Sequence, residues 1–236
     1  MQIAKFLKEN QMHYKIYEDV FDQTRIDTIV EFYNNRFADT HLTNGMYKIE
    51  DPWNLSIVQE NIKPVLSNYF NTNLENIGDN IYKHNDPYFP HCDTSIDYPC
   101  FNVLIPLKVH NDLEQKFCIF DQYINDFSSG ATWMGKWYAA ASEFEHNKKR
   151  RFPFKDSIVE NKTDVDIDEE MFTRCLEARG RDRLLFKNLS GIAVDFTPGS
   201  LIIFDSKHIH CTGRMDCDWK MGLSLRFKGE FDKEVK

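Results

Sequence analysis

The chain has 236 residues, 42% of them hydrophobic and 14% aromatic, enough to bury one sizeable core in a single domain. Its formal charge of −8 opposes a nucleic-acid partner, because gripping a phosphate backbone takes clustered Lys and Arg; a small molecule or free amino acid fits better. Nineteen Phe and ten Tyr against ten Gly exclude collagenous, low-complexity and disordered classes.

Charges interrupt every apolar stretch of Met1 to Asn10, so the start of the chain does not read as a signal peptide. No later window nears the roughly 20 apolar residues of a membrane span. His13 to Val20 alternates as a short strand. Asp22 can then cap a helix from Arg25 to Phe37 whose apolar positions Ile26, Ile29, Val30 and Tyr33 share one face. A second helix is expected over Ser56 to Phe70, with a stripe of Ile57, Ile62, Val65, Leu66 and Tyr69 and a kink at Pro64. Residues 1–79 thus form an N-terminal helical buttress for a core at 80–228.

From about Asn80 the chain changes to short segments rich in Val, Ile and Phe. These are Tyr88 to Asp93, Phe101 to Leu107, Lys116 to Phe120, Leu184 to Phe186, Ile192 to Phe196, Ser200 to Phe204 and Met221 to Phe227. Many short strands without alternating helices predict a mainly β protein with flanking helices, an antiparallel sandwich or jelly roll. A loop-rich insertion over about 121–183, with Trp133, Trp137 and a helix near Glu169 to Glu177, is a candidate substrate cover. Its run Lys148-Lys149-Arg150-Arg151 is a solvated face. The six cysteines (Cys92, Cys100, Cys118, Cys175, Cys211, Cys217) contain no Cys-x-x-Cys pair, which points to a reduced, cytoplasmic setting.

His91-Cys92-Asp93 puts an imidazole and a carboxylate two positions apart, and on a strand that spacing sends both to one face. Further on, the turn at Pro198-Gly199 leads into an apolar strand, Leu201-Ile202-Ile203-Phe204, that runs toward His208 and His210. Two imidazoles and a carboxylate on one side of a metal leave its other positions open, which suits Fe(II) binding a co-substrate and O2. Strand parity does not separate His208 from His210 as the third ligand.

These pieces, with Asn102-Val103-Leu104-Ile105-Pro106-Leu107 and Met221-Gly222-Leu223-Ser224-Leu225-Arg226-Phe227, resemble the Fe(II)- and 2-oxoglutarate-dependent oxygenases, in particular their phytanoyl-hydroxylase-like and prolyl-hydroxylase-like branches. The resemblance spans roughly Asn80 to Phe227 in order. It implies a double-stranded β-helix (jelly-roll, cupin-like) core, with Fe(II) held by His91, Asp93 and His210. It also implies 2-oxoglutarate and O2 as co-substrates, succinate and CO2 as products, and hydroxylation of a small molecule or amino acid as the default outcome. His210 stands at the family's distance from the Pro-Gly turn, which favours it over His208. For the far carboxylate of 2-oxoglutarate the resemblance offers Arg226, placed slightly ahead of Lys220, with Ser224 as a supporting donor. Tyr82 falls about where related enzymes set a tyrosine hydroxyl on the co-substrate, although Pro87 and Pro90 interrupt the register that would assign its face. One alternative is a cupin-like metalloenzyme that ignores 2-oxoglutarate, which would not need the two cations; another is a non-catalytic binding protein on the same fold with a vacant metal site.

Overall fold

The computed structural model describes residues 14–37, 46–85, 93, 100–123, 191–206, 208–213 and 215–229. The expected strand Tyr88 to Asp93, apart from Asp93, and the strand Leu184 to Phe186 lie outside the described residues. So do His91, the greater part of the 121–183 insertion, and its two tryptophans.

Among the described residues the strands are β1 (Tyr14–Tyr17), β2 (Met46–Glu50), β3 (Asn76–His84), β4 (Cys100–Val109) and β5 (Lys116–Tyr123). They continue with β6 (Gly191–Asp195), β7 (Leu201–Asp205), β8 (His208–Thr212) and β9 (Lys220–Lys228). The order β1-β7-β4-β9-β3-β2 forms a six-stranded sheet and β6-β5-β8 a three-stranded one, with every pairing antiparallel. The architecture is mainly β with flanking helices, a jelly roll, as expected.

Helix α1 (Gln23–Arg36) starts where Asp22 accepts a hydrogen bond from the Arg25 amide. The predicted face, Ile26, Ile29, Val30 and Tyr33, is the one it buries. The second predicted helix is two short ones, α2 (Ser56–Asn61) and α3 (Lys63–Leu66), because Pro64 cannot continue the hydrogen-bond ladder and starts a new helix near its own N-terminus. The helices cover one side of the large sheet. There Ile81, Val103, Ile105, Leu107, Leu201, Ile203, Met221, Leu223, Leu225 and Phe227 pack against them in one apolar cluster.

Two further differences from expectation bear on the site. β2 and the start of β3 fall before Asn80, so the segment read as a helical buttress also contributes strands to the sheet. The strand leading toward His210 is not continuous either: β7 ends at Asp205, and the chain crosses to the small sheet as β8. The turn before β7 explains its placement. Ser200 N–H donates to the Thr197 carbonyl, closing a turn with Pro198 second and Gly199 third at φ +86°. A side chain at Gly199 would lie 2.7 Å from the Phe21 carbonyl oxygen, so only glycine fits there.

Candidate active site

The two sheets face each other across a second cluster, in which Leu104, Ile202 and Phe204 of the large sheet meet Phe117, Ile119 and Val194 of the small one. On β9 the residues turned to this side alternate with the helix-packed ones: Lys220, Gly222, Ser224 and Arg226. Register aligns them with β3, Lys220 opposite His84, Gly222 opposite Tyr82, Ser224 opposite Asn80 and Arg226 opposite Gly78. The interior thus carries a polar row along an otherwise apolar gap.

At one end of that row Asp93 meets His210. Asp93 Oδ2 lies 3.3 Å from His210 Nε2, and the His210 side chain is 6% exposed. The ring is wedged against Phe204, with centroids 4.7 Å apart, and lies 5.8 Å from Phe117. Its Nδ1 is 3.0 Å from the His208 carbonyl oxygen. A carbonyl only accepts, so Nδ1 donates, and Nε2 is the ring nitrogen left facing the carboxylate. A nitrogen and a carboxylate oxygen directed into one space call for a proton or a cation between them. Imidazole nitrogen and carboxylate oxygen are also the donor types of a first-row divalent metal site, so the residues present fit such an ion. No group of three or more His, Cys, Asp or Glu side chains suited to a metal occurs among the described residues, and His91 lies outside them.

Asp93 is fastened on all sides. Its amide donates to the Ser206 carbonyl at 3.1 Å, and its own carbonyl accepts from Arg226 Nη1 at 2.8 Å. Asn102 Nδ2 donates to Oδ2 at 2.8 Å, and the Ser206 hydroxyl donates to Asn102 Oδ1, also at 2.8 Å. Neither Asn102 nor Ser206 stood out in the sequence as a site residue. The available signal was an amide inside the apolar run Phe101-Asn102-Val103-Leu104, a polar group that burial penalises unless it has a partner.

The two expected cations stand at opposite ends of β9. Arg226 is beside Asp93, with Nη1 3.8 Å from Oδ1, and its guanidinium lies over Gly78, where a Cβ would come within 2.6 Å of Nη2. Lys220 is 1% exposed, and its ammonium has no hydrogen-bond partner among the described residues; it rests 4.2 Å from the ring centroid of Phe196. Burial pushes its pKa down from the ordinary 10.5 to about 8. Between the two ends, Tyr82 lies over Gly222, where a Cβ would sit 2.6 Å from the phenol oxygen, and burial raises the Tyr82 pKa. Tyr82, Ser224, Lys220, Arg226, Asp93 and His210 are therefore all on one side of the large sheet or facing it.

No protein-family model matches the sequence, and no curated protein matches it. Solved structures do. HygX from Streptomyces hygroscopicus, a structure with nickel and 2-oxoglutarate bound, is 10% identical with a TM-score of 0.50, over 98% of this chain and 88% of that one. The non-heme alpha ketoglutarate dependent carbocyclase SnoK from nogalamycin biosynthesis gives 9% and 0.49, over 96% and 83%. A Pseudomonas putida prolyl-4-hydroxylase gives 10% and 0.44, over 98% and 100%. At these identities the likeness is one of fold.

Proposed function

We propose that the chain is a non-haem Fe(II)- and 2-oxoglutarate-dependent oxygenase that oxidises a small molecule or amino acid, by default through hydroxylation. The observation that carries this reading is the facing pair of Asp93 Oδ2 and His210 Nε2, 3.3 Å apart, with the other imidazole nitrogen already committed. Asp93 and His210, with His91 as third ligand, would hold Fe(II), which when bound supplies the redox chemistry joining O2 and 2-oxoglutarate to oxidation of a C–H bond.

The chain's own residues bind, orient and exclude water. Lys220 is the cation we now favour for the far carboxylate of 2-oxoglutarate, ahead of Arg226. A buried ammonium with no acceptor among the described residues is costly by itself, whereas an anion beside it would satisfy it. Arg226 already spends Nη1 on the Asp93 carbonyl. The Tyr82 hydroxyl and Ser224 lie along the intervening stretch of β9 as further donors. Phe117, Phe204 and Phe196 wall the site with apolar surface, which strengthens charge interactions inside it. A metalloenzyme indifferent to 2-oxoglutarate would leave Lys220 without a purpose.

The Fe(II)-loaded protein, given O2 and 2-oxoglutarate, is expected to release succinate, and a panel of amino acids and metabolites should contain compounds that raise the rate. Undiminished succinate release by His210→Ala would contradict the assignment.

A further inference from the structure

We infer that Asn102 is a positioning residue for Asp93, selecting by one hydrogen bond which carboxylate oxygen faces His210 and at what angle. The inference rests on the metal-site reading above. A carboxylate only accepts, so the Asn102 side chain must turn its amide nitrogen toward Asp93, and its carbonyl oxygen is left facing Ser206. The Ser206 hydroxyl, fully buried, supplies the proton that oxygen needs. The chain of donors therefore has one direction, Ser206 O–H to Asn102 C=O, then Asn102 N–H to Asp93 Oδ2. Each bond polarises the next.

The oxygen that receives this bond is the one 3.3 Å from His210 Nε2. With one lone pair of Oδ2 taken by Asn102, its remaining electron density is aimed by the amide and not by free rotation of the carboxylate. A role limited to holding the Asp93 backbone does not explain the contact. Other bonds already hold that backbone, through Asp93 N–H to Ser206 C=O, Ser206 N–H to Cys100 C=O, and the Arg226 guanidinium to the Asp93 carbonyl. The Asn102 amide meets Asp93 at the carboxylate. Its place on β4 is also fixed from both sides, opposite Arg226 of β9 and Phe204 of β7, so the amide cannot follow Asp93 if the carboxylate swings.

The test is Co(II) binding to the full metal-free chain, followed by titration calorimetry and by the visible ligand-field band, with no co-substrate present. Asn102→Ala should weaken affinity about 10–100-fold and alter the band, the range seen when groups orienting a metal ligand are lost. Ser206→Ala, which frees the amide but leaves the backbone anchors, should weaken it less and in the same direction. Val103→Ala, on the same strand but packed against the helices, should lower the melting temperature and leave Co(II) affinity as it was. Wild-type affinity in Asn102→Ala overturns the inference. If that variant does not fold, wild-type affinity in Ser206→Ala does so. A wild-type chain that binds no Co(II) overturns the metal-site reading itself, and this inference with it.

Discussion

The two faces of strand β9 are made by consecutive residues and have opposite character. Met221, Leu223, Leu225 and Phe227 are all 0% exposed and pack under the helices. Lys220, Gly222, Ser224 and Arg226 look into the space between the sheets and bring a cation, a gap, a hydroxyl and a second cation. One face is what hydrophobic burial alone would choose. The other holds an ammonium with no hydrogen-bond partner among the described residues, which folding does not reward, and such local conflicts concentrate at functional sites.

Breaking the polar face should abolish chemistry and spare the fold. Asp93→Ala and His210→Ala are expected to bring succinate release below detection while far-ultraviolet circular dichroism stays native. Breaking the apolar face should do the reverse. Leu223→Ala is expected to cost about 2–5 kcal/mol in urea unfolding, as buried leucines do, with activity per folded molecule retained.

Lys220→Met sharpens the contrast because its sign is opposite. With the Lys220 pKa moved from 10.5 to about 8, burying the charge costs up to roughly 3 kcal/mol at neutral pH. The variant should therefore be more stable than the wild type there, yet bind 2-oxoglutarate far more weakly. Below pH about 8 the amine is charged in both folded and unfolded chains and the cost is present in full. Between pH about 8 and 10.5 only the unfolded chain keeps the proton, so the cost fades and the two stabilities converge. Chemical denaturation across pH 6 to about 10.5 reads this directly. The smallest effect is expected of Gly222→Ala, whose new methyl must displace the Tyr82 phenol. It should raise the KM for 2-oxoglutarate severalfold with little change in melting temperature.

What the sequence disclosed follows the same division. The α1 face and the β4 and β9 cores were legible because periodic apolar residues report burial. β3 was not, since Asn76-Ile77-Gly78-Asp79-Asn80 is poor in strand formers and is held by its pairing with β9 and β2. The break between β7 and β8 has no local signal, because an apolar run does not say where the chain changes sheet. His210 and Asp93 could be named from motif spacing, and they do meet. Their supports could not. Asn102 and Ser206 are 104 positions apart, and no local pattern announces a hydrogen bond of that range. The relative standing of Lys220 and Arg226 likewise depended on which of them Asp93 engages, a matter of three-dimensional contact.

Anaerobic titration of the metal-free protein with Fe(II) and then 2-oxoglutarate tests the account most directly. A weak visible charge-transfer band should grow only when both are present, and should be missing in Asp93→Ala and His210→Ala. No band with the wild type, or an undiminished one in either variant, would contradict it.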